Sequence, residues 1–149
     1  MRVWADQTNR VLREHLSEPA AAACFALLSA MRTVEEVLSG KGAEDDVKRG
    51  VVQMLVDLSY GLQFNPFWQK AAPLVQPVFT AAIVAWFDSM RYGERAMADR
   101  TDNGHGAKAF ATKNVIFEVA MMVFLADKGP NAVSGEGVKF RDALASIKG

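Results

Sequence analysis

Apolar residues recur three and four apart along almost the whole chain, and no stretch alternates convincingly with the period of two expected of a half-buried strand. Trp4, Thr8, Val11, Leu12, His15 and Leu16 share one face, which predicts an amphipathic helix over residues 2–16. Ser17 is placed to cap the next helix, and Pro19 fits a first turn, where a missing N–H costs nothing. That helix is expected to run from Pro19 to Ser39 with Cys24, Leu27, Leu28, Met31, Val34 and Leu38 inward, and Gly40 stands where a left-handed C-cap is wanted. After the connector Ser39-Gly40-Lys41-Gly42, the carboxylates Glu44, Asp45 and Asp46 open a third helix at the positive end of its dipole. Its inward stripe reads Val47, Val51, Met54, Leu55, Leu58 and Leu62, and the interior Gly50 suggests a close neighbouring backbone.

Asn65-Pro66 reads as a cap followed by a first-turn proline. Pro73 and Pro77 restrict the residues before them, so a short helix is expected to stop near Ala72 and a new one to run from Pro77 to about Arg100. The second of these carries Phe79, Ile83, Trp86 and Met90 on one face and the small residues Ala82, Ala85 and Ser89 on another. Residues 101–106 hold Asn103-Gly104 and a further glycine, a strong loop signal. The helix predicted over 107–128 is apolar on two sides, with Val115, Val119, Met122 and Val123 on one arc and Phe110, Phe117, Met121 and Phe124 on another. Gly129-Pro130 closes it, residues 131–137 read as loop, and Val138, Phe140, Leu144 and Ile147 support a short last helix. The fold class that follows is all-α: residues 1–149 as one compact bundle of six or seven helices, with the hydrophobic helix near 107–128 at its centre.

Composition removes whole classes of function. The chain has 149 residues, enough for a sizeable core, and its 17 Lys+Arg balance 17 Asp+Glu. Both signs are interspersed throughout, so there is no basic patch or tail of the kind that neutralises phosphates, and no acidic surface that imitates nucleic acid. This argues against a nucleic-acid partner. The single Cys24 excludes an intramolecular disulfide, and with only His15 and His105 beside it no thiolate zinc site can form. The amino-terminal stretch lacks the apolar run of a secretory signal, so a cytoplasmic location is expected. Residues 71–87 are free of charge but hold Pro73, Gln76, Pro77 and Thr80, which favours a buried helix over a membrane-active segment.

Candidate chemistry is sparse. Asp99, Thr101, Asn103 and Gly104 begin like a calcium loop, but the ninth and twelfth positions are Ala107 and Phe110, so no metal site is expected. Arg100 is followed after four residues by His105, a spacing that resembles the Arg-x4-His motif of HEPN-type ribonucleases over six residues. The resemblance implies RNA cleavage by an all-α dimer with Arg100 and His105 as catalytic residues; the alternative is a plain polar loop. His15 and Cys24 read as core residues, and no phosphate-binding loop, dinucleotide fingerprint, nucleophile elbow or cofactor motif occurs. What remains is packing: nine Phe, three Trp and seven Met are many large groups for one core. The leading expectation is therefore a non-catalytic helical protein that associates with itself or with a protein partner, through Phe110, Phe117, Met121 and Phe124 together with Phe67 and Trp68.

Overall fold

The computed structural model describes residues 2–39, 44–100, 104–132 and 134–147, with the backbone alone for 2, 36–39, 44–48, 85–100 and 104–115. The described residues form six α-helices and no strand: α1 (Arg2–His15), α2 (Glu18–Ser39), α3 (Glu44–Leu62), α4 (Pro66–Arg100), α5 (Gly104–Lys128) and α6 (Glu136–Ala145), with a 3-10 turn at Pro130–Ala132. Gly40 to Ala43 and Thr101 to Asn103 lie outside the described residues, as do the side chains of Leu38, Val47, Ala85, Trp86, Ser89, Met90 and Val115.

Two helices share the centre. α2 packs against α1, α3, α4 and α5, while α5 packs most extensively against α4 and also meets α2 and α6. The face read from sequence on α2 is buried at Cys24, Leu27, Leu28, Met31 and Val34, and the alanines Ala20, Ala21, Ala23 and Ala30 are buried beside it. Methyl-sized side chains let neighbouring helices approach α2 on more than one side, which explains why this helix can act as a hub. On α1, Thr8, Leu12 and Leu16 are buried. Trp4 holds α1 to α2 between the ring of Phe25, 6.3 Å away, and the guanidinium of Arg32, 4.6 Å from its centroid.

The break expected between Ala72 and Pro77 does not occur; α4 is one helix of 35 residues with Pro73 and Pro77 inside it. Both prolines are exposed, whereas Ala71, Val75, Phe79, Ala82 and Ile83 are buried. The carbonyls that lose a partner, those of Gln69 and Pro73, therefore belong to an exposed stripe where water can satisfy them, while the apolar face supplies the burial that offsets the prolines. The loop expected to reach Gly106 is also shorter than read, since α5 begins at Gly104.

Glycine positions divide by use. Gly129 has a φ of +91° and closes α5, with its N–H donating to the Leu125 carbonyl at 2.9 Å. Gly137 is buried in the first turn of α6, where an added Cβ would stand 3.4 Å from Met121 and 3.5 Å from Phe124. This close approach puts α6 on α5, with Phe140 and Leu144 buried and Val138 exposed. Gly50, expected to meet a neighbouring backbone, has no heavy atom within 4 Å of a would-be Cβ. Among the described residues, that side of α3 is open at Gly50.

Candidate functional site

One end of the bundle is tied by polar groups that the sequence places far apart. Ser17 stands at the cap of α2, and its carbonyl accepts from the Ala21 N–H at 2.8 Å. Its own N–H and hydroxyl both donate to the carboxylate of Asp127 near the end of α5, at 2.8 and 2.6 Å. Asn65 caps α4 by accepting from the Trp68 N–H at 3.0 Å, and its amide donates to the Pro19 carbonyl at 3.0 Å. The local cap expected at Asn65 is thus also a long-range tie, whereas the Ser17 hydroxyl, expected to cap α2, donates to Asp127; together the two residues join α2, α4 and α5.

Next to these ties lies an open groove of about 550 Å³, lined among others by Ser17, Pro19, Phe67, Lys70, Leu74 and Asp127. It is the natural place to look for chemistry, and its polar groups do not supply any. Asp127 is occupied by two charge-assisted hydrogen bonds from Ser17, which suits an anchor and not a general base. Among the described residues no three His, Cys, Asp or Glu side chains converge as metal ligands would. Cys24 is fully buried, and burial pushes its thiol far above the ordinary thiol range, so it stays protonated and unreactive. His15 is half-buried with its ring 5.6 Å from that of Phe140.

The residues expected at an interface take different places. Phe124 is fully buried and stacked on Phe140, with centroids 5.3 Å apart, so its surface is used inside the chain and not offered to a partner. Phe117 and Met121 are half-buried against the core, and Arg141 of α6 sits 5.9 Å from the Phe117 ring centroid. The second apolar arc of α5 is therefore covered, in its described part, by α6. Phe67 and Trp68 are likewise half-buried against the core, with Phe67 also in the groove wall. The side chain of Phe110 lies outside the described residues. So do those of Arg100 and His105; their backbones form the last position of α4 and the first turn of α5.

The strongest surface feature is one the inward stripe of α3 drew attention away from. Val51 and Leu62 of α3 are buried, and Met54, Leu55 and Leu58 pack against the core. Val52, Val56 and Tyr60 are exposed at 57, 46 and 67% on the same helix, and Phe64, just past its end, is 78% exposed. They recur every four residues, so the helical ones form one row along the solvent side. The signal was present in the sequence: from Val51 to Leu62 the only charged residue is Asp57. α3 packs chiefly on α2, and among the described residues this row stays exposed to solvent.

No helix among the described residues is long and apolar enough to cross a membrane, and residues 71–87 lie within the amphipathic α4. The chain matches no protein-family model, no curated protein and no solved structure.

Proposed function

We propose that this chain is a non-catalytic helical protein that works by association, and that α3 carries the contact surface. The observation that supports this reading is the row Val52, Val56 and Tyr60, exposed on a helix whose other side is buried in the core, with Phe64 exposed just past its end. Single exposed apolar residues are common, but three in register on α3, followed by Phe64 just past its end, form a patch of the kind that marks interaction sites. The groove beside Asp127 supports no competing catalytic reading, because its acidic group is tied to Ser17 and its remaining basic group, Lys70, has no acid or nucleophile set against it there.

The test compares proteins retained from a native host extract by the tagged chain and by a Val56→Lys, Tyr60→Lys variant. Both substitutions are on exposed positions, so the fold should persist, which circular dichroism checks. Association through α3 predicts a set of retained proteins, copies of the chain included, that is lost with the variant. Identical sets would sink the reading.

A further inference from the structure

Independently of the α3 surface, we propose that the groove beside the Ser17–Asp127 tie binds a free α-amino acid with a large apolar side chain. Phe67, Lys70, Ala71 and Leu74 line it at helical spacing from the first turns of α4, over about 10 Å of the axis. Ser17 and Pro19 line it from the start of α2, and Ala126 and Asp127 from the end of α5. The groove stays open because the residues where α4 and α5 contribute to it include only alanines, Ala71 and Ala126, as apolar neighbours of the polar groups; a leucine at either would take up much of the space. Its volume of about 550 Å³ is that of a small-molecule site.

The chemistry of the ligand follows from charge. One basic and one acidic side chain line the same groove, and they do not neutralise each other: among the described residues Lys70 has no ion pair or hydrogen bond. Asp127 is fixed by Ser17, whose N–H and hydroxyl take one lone pair on each carboxylate oxygen. A carboxylate offers about four such sites, so each oxygen can accept once more. The ammonium of Lys128, 3.8 Å from Oδ2, is beyond hydrogen-bond length. A purely anionic ligand would meet Asp127, and a purely cationic one would meet Lys70, whereas a zwitterion complements both. The ligand ammonium donates to Asp127, its carboxylate accepts from Lys70, and its side chain covers Phe67, half-buried, and Leu74, 41% exposed. With about a dozen non-hydrogen atoms in an open groove the affinity is modest, with Kd on the order of 0.1–1 mM.

The experiment titrates phenylalanine into the isotopically labelled full chain and follows backbone amide resonances up to about 20 mM ligand, a span that brackets such an affinity. Saturable shifts are expected at Lys70, Ala71, Leu74, Ala126 and Asp127, and not along the exposed row of α3. Phenylalaninamide, which lacks the carboxylate, and N-acetylphenylalanine, which lacks the ammonium, should each bind at least about fivefold more weakly. Glycine, which lacks the side chain, should not saturate. Lys70→Gln should erase the preference for phenylalanine over its amide and keep the preference over the acetyl form, and Leu74→Ser should weaken phenylalanine at least about threefold. Both positions are exposed, so the helical signal should be unchanged. Absence of saturable shifts, shifts confined to α3, equal binding of the three compounds, or a Lys70→Gln variant that still discriminates against the amide would each overturn the proposal. None of these outcomes bears on the retention experiment above, so the two readings fail separately.

Discussion

α5 and α3 both carry apolar residues on more than one side, and the fold treats them differently. Between Ile116 and Lys128 of α5 only Glu118 and Lys128 are exposed; between Arg49 and Leu62 of α3 the exposed set includes Val52, Val56 and Tyr60. α5 lies among α4, α2 and α6, so the described part of each arc meets a neighbour from the same chain. α3 rests chiefly on α2 and presents its second arc to solvent. A helix with two apolar faces is thus a statement about demand for partners; whether the partner is internal depends on which elements the topology brings alongside.

The contrast breaks most readily at Phe124. If α5 is central as described, Phe124→Ala loses the stacked ring against Phe140 and costs about 3–5 kcal/mol in denaturant unfolding. Tyr60→Ala on α3, measured at a concentration where the chain is monomeric, should stay within about 0.5 kcal/mol. Comparable losses at the two sites would mean that α3 is not the open helix. Next in size is Asp127→Ala, which leaves the Ser17 N–H and hydroxyl without their acceptor and should cost about 2–3 kcal/mol, whereas Lys128→Ala, which removes an exposed cation 3.8 Å from that carboxylate, should change little.

The glycines sharpen the same comparison with opposite signs. Gly129→Ala at the end of α5 forces a side chain into the left-handed region and should destabilise by about 1–2 kcal/mol. Gly50→Ala in α3 meets nothing and should raise stability by up to about 1 kcal/mol, seen as a higher thermal midpoint. A loss at Gly50 would reveal a neighbour there. The smallest effect is kinetic: Cys24 should resist thiol-specific alkylation in the native state and react only on unfolding, and rapid native labelling would show that α2 is less buried than its place at the hub requires.

Much of the fold was legible from residue pattern because helices are local. The inward stripes of α1, α2 and α3, the Asn65 cap and the Gly129 stop each depend on neighbours within a few residues, and each stands where the spacing put it. The reading failed where distant residues decide. Pro73 and Pro77 looked like breaks because the local rule counts the lost hydrogen bond and cannot count the burial of Val75 and Phe79 on the opposite side. Phe124 looked free for an interface because nothing near it in sequence announces that Phe140 and Gly137 will cover it. Asp127 carried no signal at all, its partner Ser17 being 110 residues away.

The sequence by itself determined that this chain is all-helical, where most of its helices begin and end, and that its chemistry is sparse, since those properties follow from short-range periodicity, caps and residue inventory. The tertiary structure alone decided which apolar faces are used up. Burial is a property of pairs of surfaces, and only the packing of α6 on α5 and of α3 on α2 shows that the row Val52, Val56 and Tyr60, and not the arc ending at Phe124, is the one still exposed.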